Sequence, residues 1–309
     1  MSHLNLQPGQ TAVITGAASG FGLELARLGA QKGLNLVLTD VQQDALDKVV
    51  AELTAAGTHV AALRGDVSRG EDIQALADLC LERFGVPHIV INNAGVAYGG
   101  LIWEAGPRDW EWVLGVNLWG VIHGVRVFTP LMLAEARKNP AYQGHIVNVA
   151  SMAGMLNSPN LGVYNVSKHA VVSLSETLYQ DLALVTDQVH ASVLCPYFVP
   201  TGIHQSHRNR PAELRTDAKP TASQLIGQAM SAKAVTSGKV TAADTAALVF
   251  NAIEANQFYV YTHPKAIGMV QVRMEDVMQA RNPTDPFAGK PEIGEQLKTA
   301  LRDALAKED

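Results

Sequence analysis

Short apolar segments alternate with longer amphipathic segments along most of this chain. Seven runs are apolar and β-branched at successive positions rather than at every second one, which indicates strands covered on both faces. They span residues 11–15, 35–40, 59–66, 88–92, 145–149, 190–195 and 258–261. Helical patterns fill the gaps, at about 20–32, 42–56, 69–84, 108–138, 162–186 and 241–255. Repeated strand–helix units predict an α/β, Rossmann-like doubly wound parallel sheet of about seven strands.

Two segments fall outside this alternation. Residues 201–240 are polar and irregular, and we interpret them as a lid over a substrate site. Residues 263–309 form a C-terminal extension that ends in an apolar stripe of helical spacing, from Ile293 to Leu305. Such a stripe normally packs on its own domain or on a partner subunit. No linker or repeat divides the chain, so we expect residues 1–309 to form a single domain.

Composition excludes several classes of partner. The chain has 309 residues, 47% of them hydrophobic, with a net charge of −5 and no dense basic run. Nucleic acid and anionic membrane surfaces are therefore not expected partners. No eighteen-residue apolar stretch and no signal peptide is visible, which favours a cytoplasmic protein. Cys80 and Cys195 lie far apart, and we expect buried thiols rather than a disulfide.

A glycine-rich loop connects the first strand to the first helix. Gly16, Gly20 and Gly22 allow a tight turn and a close approach of the backbone to a phosphate. Ser19 and Phe21 lie in the same loop. The free N–H groups at the start of the helix then face an anion. In this context the loop predicts a pyrophosphate-binding site for a dinucleotide.

Asp40 ends the second strand, eighteen positions after Gly22. A carboxylate there accepts hydrogen bonds from the adenosine ribose hydroxyls and repels a 2′-phosphate. No arginine or lysine stands at 17–19 or 39–43 to receive such a phosphate. The pattern therefore favours NAD over NADP. The alternative interpretation of Asp40 is a solvated strand end or a cap for the next helix.

Three residues form a candidate catalytic group. Ser151 follows the fifth strand, at the sheet edge where ligands bind in open α/β folds. Tyr164 and Lys168 are four apart on the next helix and so share one face. A nearby ammonium group and a cationic nicotinamide ring both favour the phenolate, which predicts Tyr164 as a general acid–base. Without this context, Tyr164 and Lys168 are an ordinary helix pair and Ser151 a cap.

A larger set of motifs occurs in a fixed order along the chain: Thr15-Gly-x-x-x-Gly-x-Gly22, Asp66-Val67, Asn92-Asn93-Ala94-Gly95, Asn117, Ser151 and Tyr164-x-x-x-Lys168. Together they resemble the short-chain dehydrogenase/reductase family over roughly residues 8–262. The resemblance implies a seven-stranded sheet, a nicotinamide cofactor and a homodimer or homotetramer.

The resemblance also implies roles for single residues. Asp66 would contact adenine through its side chain and Val67 through its backbone, and the segment Asn93-Ala94-Gly95 would line the cofactor channel. Val199 and Thr201 match positions that hold the nicotinamide carboxamide. One motif departs from the family pattern, because Tyr197 stands where members usually carry glycine.

The resemblance places two more functions near the reacting atoms. Lys168 would bind the nicotinamide ribose in addition to lowering the pKa of Tyr164. Asn117 would position a water that connects Lys168 to solvent for proton relay. Considered without the other motifs, Asn117 would be interpreted as an ordinary amide on a helix surface.

The expected substrate side is apolar. Met152, Met155, Leu156 and Ile203 are apolar, and the substrate contacts that we expect are Ser151, Ala153, Tyr164, Tyr197 and Phe198. Such a pocket suits a hydrophobic or aromatic secondary alcohol and its ketone.

Other polar and aromatic residues have open interpretations. Arg208 and Arg210 are in position to meet a carboxylate substrate, although solvated charges on a lid are favoured. His204 and His207 have a metal-like spacing without a third ligand, so no metal is expected. Four tryptophans near the fourth strand favour packing, with Trp103 a candidate substrate contact.

Two other classes of function compete with a dehydrogenase. One is a dinucleotide-binding regulator without turnover, against which the complete set of catalytic residues argues. The other is an enzyme that retains NAD while it performs epimerisation or dehydration. The chain is short for a sugar-nucleotide enzyme of that type.

Overall fold

A seven-stranded, all-parallel sheet forms the centre of the protein. The computed structural model describes residues 5–216 and 218–306. Its strands are β1 (Thr11–Thr15), β2 (Asn35–Asp40), β3 (Val60–Arg64), β4 (Ile89–Asn92), β5 (Gly144–Val149), β6 (Val189–Cys195) and β7 (Tyr259–Tyr261). Their order is β3-β2-β1-β4-β5-β6-β7, and every neighbouring pair is parallel. The predicted fold class is therefore confirmed. The strand order reverses between β1 and β4, where such sheets bind ligands outside the carboxyl ends of the strands.

Helices cover both faces of this sheet. They are α1 (Gly20–Gln31), α2 (Gln43–Ala55), α3 (Gly70–Phe84), α4 (Pro107–Leu114), α5 (Gly120–Lys138), α6 (Gly162–Val185), α7 (Ala222–Thr236), α8 (Ala242–Glu254), α9 (Ile267–Met278) and α10 (Pro291–Leu305). The core lies between these layers. Ile14 of β1 packs in a cluster with Phe250 of α8, while its neighbour Val13 packs on the opposite face with Phe128 of α5. Alternate residues of a strand point to opposite faces, so a strand between two helix layers is apolar throughout.

One long helical segment differs from its sequence pattern. Residues 108–138 were expected to form one regular helix, but a π-helical turn, Gly115–Trp119, separates α4 from α5. Among the described residues, the combined segment Pro107–Lys138 is the one helix long and apolar enough to cross a membrane, and 33% of its most apolar window is buried in the protein. Phe128 and Met132 of this segment pack on the sheet.

The segments after β6 contain more structure than their sequence predicts. The region 201–240 includes 3-10 turns at Gly202–Asn209 and Ala212–Leu214 and then α7, which begins with a capping box between Thr221 and Gln224. The buried residues of α7 include Ser223 and Gly227, which hydrophobic periodicity does not register.

The C-terminal extension forms two helices, of which only α10 was expected. The last three residues of the extension lie outside the described residues. α9 escaped prediction because several of its apolar side chains, including Val277 and Met278, face outward. α10 packs on α7, and Leu297 is its buried residue.

Candidate active site

The glycine loop after β1 has the geometry of a phosphate cradle. Gly16 and Gly20 have φ of 64° and 55°, in the left-handed region that favours glycine. Gly22 faces the Gly16 carbonyl so closely that a Cβ would overlap it. The Asn93 side chain fixes the turn by donating hydrogen bonds to the carbonyls of Thr15, at 2.8 Å, and Gly16, at 3.1 Å. The loop therefore presents bare backbone at the start of α1, which fits a pyrophosphate.

A cleft runs from this loop along the carboxyl ends of the strands. Thirteen of the residues expected to contact the cofactor line it: Gly16, Ser19, Gly20, Phe21, Asp40, Asp66, Val67, Asn93, Ala94, Gly95, Tyr164, Lys168 and Thr201. The remaining two do not line it. Gly22 instead allows the tight turn behind the loop, and Val199 is buried, with 3% of its surface exposed.

Asp40 lies on the wall of the cleft and is 7% exposed. Its Oδ2 accepts a hydrogen bond of 3.0 Å from the backbone N–H of Ala18, and its Oδ1 accepts one of 3.0 Å from the N–H of Gln42. The contact with Gln42, just before α2, matches the interpretation as a cap, and the contact with the adenosine ribose stays a prediction. The carboxylate braces the glycine loop and the start of the next connection, and each oxygen keeps further acceptor capacity for ribose hydroxyls.

Asp66 also combines a structural contact with a position on the cleft. Its Oδ1 accepts hydrogen bonds from the backbone N–H of Ser68, at 2.9 Å, and from the Ser68 hydroxyl, at 2.7 Å. This local turn orients the carboxylate on the wall of the cleft.

Two of the predicted catalytic residues, Tyr164 and Lys168, line the cleft, and Ser151 lies next to Tyr164 outside the lining residues. Ser151 follows β5, and its hydroxyl accepts a hydrogen bond of 3.1 Å from the N–H of Ala153. Lys168 of α6 is 2% exposed, and its Nζ donates a hydrogen bond of 2.9 Å to the Val149 carbonyl at the end of β5. The same Nζ lies 5.8 Å from the centre of the Tyr164 ring. Strand β5 and helix α6 thus bring together residues that are up to seventeen positions apart.

Burial governs the ionisation of this group. It raises the pKa of Tyr164, which a hydrogen bond with Ser151 opposes, and it lowers the pKa of Lys168 to about 8. A charged group loses hydration when it is buried, so a phenol resists ionisation and an ammonium group releases its proton more readily. Burial therefore opposes the acidification of Tyr164 that the sequence predicts. An oxidised nicotinamide ring nearby would supply a positive charge that favours the phenolate.

Asn117 is fully buried in the π-helical turn. Its Oδ1 accepts a hydrogen bond of 2.8 Å from the Val96 N–H, and its Nδ2 donates to the Val96 carbonyl and to the Ser167 hydroxyl, at 3.0 and 3.1 Å. The side chain thus fastens the loop after β4 to α6. Single π turns are frequent at functional sites, and this one directs the amide inward.

The expected substrate contacts Ser151, Ala153, Tyr197 and Phe198 lie outside the residues that line the cleft, whereas Tyr164 lines it. The rings of Tyr197 and Phe198 pack at a tilt, with centres 4.2 Å apart, and the backbone N–H of Tyr197 donates to the Thr262 hydroxyl at 3.0 Å. Tyr197, which replaces the usual glycine, has no positive φ. The substitution therefore causes no backbone strain.

The remaining candidate residues, which are histidines, tryptophans and cysteines, lie in different environments. His204 contacts the Thr201 carbonyl and His207 contacts Gln228. Trp112 is buried and Trp110 half-buried, whereas Trp103 and Trp119 are 75% and 50% exposed. Cys80 and Cys195 are free, buried thiols, as expected.

The two arginines of the lid make different contacts. Arg210 binds Asp109 at 2.6 Å, so it is not free for a carboxylate substrate. Arg208 instead lines the cofactor cleft, together with Gln42, Ile203 and Ser206. Sequence analysis did not assign Gln42, Ile203, Ser206 or Arg208 to the cofactor, because no motif contains them. Their position depends on how the lid folds over the cleft.

The sheet order and the glycine-lined cleft at its switch point define a dinucleotide-binding protein of the doubly wound α/β class. The family model for short chain dehydrogenases matches residues 10–212. A short-chain dehydrogenase/reductase from Burkholderia phymatum, solved in complex with NAD, is 52% identical, with a TM-score of 0.89, over 92% of this chain and 99% of that one.

Curated relatives agree with this match. The CLA biosynthesis dehydrogenase/reductase of Lactiplantibacillus plantarum is 33% identical over 86% of this chain and 92% of its own length. The 1-deoxy-11-beta-hydroxypentalenate dehydrogenase of Streptomyces exfoliatus is 33% identical over 87% of this chain and 88% of its own length. This chain belongs to the short-chain dehydrogenase family.

Proposed function

We propose that this protein is an NAD-dependent oxidoreductase that interconverts a secondary alcohol and its ketone. The observation that carries the proposal is that Tyr164, which is hydrogen-bonded to Ser151, and Lys168 line the same cleft as the glycine loop and Asp40. An acid–base group and a dinucleotide cradle in one cleft are the two requirements of hydride transfer to or from an alcohol carbon.

Each catalytic residue has a separate task. The substrate hydroxyl donates to Tyr164 and is oriented by Ser151, and Tyr164 removes its proton during oxidation. In reduction Tyr164 returns the proton to the carbonyl oxygen. The bound cofactor supplies the hydride acceptor or donor. Lys168 binds the nicotinamide ribose and contributes positive charge beside the phenol, and the Asn117 amide fastens the loop that carries Val96.

Asn117 has a narrower task than the proton relay that its family position implies. Its side-chain oxygen and nitrogen are both engaged by protein groups. We infer that the Asn117 side chain supports catalysis structurally, because it holds the π turn in place beside Lys168. A relayed proton would then pass through other groups near the Lys168 ammonium. This ammonium lies next to Gly95, at the cleft.

The choice of NAD rests on Asp40. Its carboxylate is buried at the adenosine end and repels a 2′-phosphate, and the similar Burkholderia phymatum protein was solved with NAD. We expect Val199 and Thr201 to hold the carboxamide, Thr201 with atoms on the cleft and Val199 through its backbone.

The proposed substrate is hydrophobic or aromatic. Met152 and Leu156 belong to an apolar cluster that Tyr197 joins, and α9 completes this cluster with Val270. The Streptomyces relative is named for a hydroxypentalenate. We propose that Ser151, Ala153, Tyr197 and Phe198 face the substrate when it occupies the space between the lid and α9.

We further propose one folded domain, with the lid at 201–240 and the extension at 263–309, that assembles as a homodimer or homotetramer in the cytoplasm. Leu184 and Val185 at the end of α6 are 82% and 68% exposed, and a subunit contact would cover such side chains. Light scattering of the purified protein would give the subunit number, and a monomer at micromolar concentration would contradict this part.

The test of the reaction is a panel of alcohols and ketones assayed with NAD and NADP in parallel. We expect turnover of apolar secondary alcohols with NAD, and a preference for NAD that weakens in Asp40→Asn. Predominant turnover with NADP would refute the role of Asp40. Cofactor binding without turnover of any substrate would identify a regulator, and product formation without net NADH release would identify an epimerase or dehydratase.

A further inference from the structure

The cofactor cleft has few positive charges for a ligand that carries a pyrophosphate. Among the described residues that line it, the charged side chains are Asp40, Asp66, Lys168 and Arg208. The glycine loop itself contains no lysine or arginine. Lys168 lies at the nicotinamide end and donates to the Val149 carbonyl. Arg208 is therefore the other cation among these lining residues.

The guanidinium of Arg208 contacts both the lid and the segment that follows β2. Its Nη1 donates to the carbonyls of Gly202, at 3.4 Å, and Gln205, at 2.9 Å, and its Nε lies 3.4 Å from Oε1 of Gln42. Gln42 follows Asp40 by two positions. No carboxylate among the described residues forms an ion pair with Arg208.

The start of the lid, which Arg208 contacts, lies next to the glycine loop. A Cβ on Gly20 would come within 3.4 Å of the Thr201 side chain, and a Cβ on Gly202 would come within 3.7 Å of Nη2 of Arg208. A pyrophosphate at the start of α1 would lie between Gly20 and this segment. The planar guanidinium with several N–H donors suits two phosphate oxygens better than a point charge does.

Arg210, two residues later, is committed to a different contact and holds the segment in place. Besides its 2.6 Å ion pair with Asp109, it lies 5.3 Å from the Trp112 ring centre and donates to the Leu214 carbonyl at 2.8 Å. Its side chain is 13% exposed, whereas Arg208 is exposed. One arginine thus anchors the lid to α4, and the other remains available at the cleft.

We propose that Arg208 is a cofactor-binding residue of the lid, whose guanidinium binds the pyrophosphate of the dinucleotide. The proposal rests on the proposed function only in requiring that the protein binds NAD(H). Arg208 would then connect the lid to a dinucleotide that is otherwise held by the glycine loop after β1.

The test compares Arg208→Gln and Arg208→Lys with Lys233→Gln, which removes a positive charge from an exposed position of α7 on the same lid. Calorimetry measures the binding of NADH, ADP and adenosine to each folded protein. We expect Arg208→Gln to weaken NADH and ADP about tenfold and to leave adenosine unchanged, because adenosine lacks the diphosphate. The affinity of Arg208→Lys for NADH and ADP should fall between those of Arg208→Gln and the wild type. The affinities of Lys233→Gln should match those of the wild type. Added salt should weaken NADH binding more steeply in the wild type than in Arg208→Gln.

Two results would overturn the proposal. Unchanged NADH and ADP affinities in Arg208→Gln would show that the guanidinium does not bind phosphate. An equal loss for adenosine would show an effect on the nucleoside site or on the fold. Either result leaves the proposed dehydrogenase intact if the wild type binds NADH. A wild type that binds no dinucleotide would refute both proposals.

Discussion

The sheet region and the lid region of this protein are held by different kinds of contact. In the sheet, the phosphate loop and the residues before Ser151 extend from strands whose backbones are paired on both sides and whose side chains are buried on both faces. The lid is fastened by a few side chains. Ser206 accepts from the Ala97 N–H at 2.9 Å, Ser223 accepts from the Leu101 N–H at 2.9 Å, and Arg210 pairs with Asp109.

In the proposed function, this difference separates the region that performs chemistry from the region that admits the substrate. A paired, doubly covered strand can hold catalytic atoms to fractions of an ångström, as acid–base chemistry requires. The lid packs through Gly227 on the backbone of Gly99. We expect the lid to open at a lower cost in free energy than the sheet region and so to admit a substrate. Changes in the two regions should have different consequences, which the following variants examine.

The largest effect is expected from Tyr164→Phe in the sheet region. Loss of the hydroxyl removes the acid–base group, and kcat should fall about a thousandfold. The binding of NADH should remain within about twofold of wild type, because the ring stays in place. Tyr179→Phe is a matched control on α6, where the ring packs against Phe258 at 4.9 Å. Stopped-flow turnover and NADH titration measure both quantities, and a Tyr164→Phe enzyme of normal kcat would refute the assigned mechanism.

The buried ammonium group should make stability depend on pH. Burial lowers the pKa of Lys168 from 10.5 to about 8, so the unfolded chain binds more protons than the folded protein between those values. The cost in free energy of burying the Lys168 ammonium group is fully present below pH 8. Above pH 8 the group loses its proton in the folded protein, so the free energy of unfolding rises with pH across this window. The shift corresponds to about 3 kcal/mol.

Urea unfolding at pH 7 and pH 10 tests this prediction. Lys168→Met should gain stability relative to wild type at pH 7 and lose most of that gain at pH 10. Lys233→Met, at an exposed position, should follow the wild-type curve at both values. A difference between Lys168→Met and wild type that is independent of pH would mean that the ammonium group keeps its ordinary pKa.

The sheet region was largely predictable from the sequence for a physical reason. A strand buried on both faces must be apolar at every position, so runs such as residues 11–15 and 145–149 are conspicuous, and the structure matches them within one residue. The glycines of the loop are required by local geometry, because Gly16 has a positive φ and Gly22 has no space for a Cβ. Features that one strand end determines can be predicted without knowledge of the rest of the fold.

The lid region was less predictable because its contacts leave no periodic pattern. Helix α7 buries small or polar residues, and α9 exposes apolar ones. Arg208 and Arg210 have the same residue type and are two positions apart, yet one reaches the cleft and the other binds Asp109. Only the path of the folded lid distinguishes them. The π turn around Asn117 was likewise invisible, because its composition is that of an ordinary helix.

A smaller effect in the sheet region is expected from Gly22→Ala. The new Cβ would overlap the Gly16 carbonyl and lie 2.7 Å from Nδ2 of Asn93, so the loop must shift. We expect NADH binding to weaken about tenfold or more, because the N–H groups lose their alignment with the pyrophosphate. Gly268→Ala in α9 has no heavy atom within 4 Å of the added Cβ and should bind NADH normally. Equal affinities for the two variants would show that the loop tolerates a side chain.

The smallest effect should come from loosening the lid through the C-terminal extension. Leu297 is 6% exposed in α10, which packs on α7, so Leu297→Ala removes apolar contact that supports the lid. Because the lid would be open more of the time, the KM of the substrate should rise about threefold while the Kd of NADH changes less. Leu305→Ala, at a 42% exposed position of the same helix, is the control. If Leu297→Ala weakened NADH binding as much as substrate binding, the extension would support the cofactor site as well, and the division between the two regions would not hold.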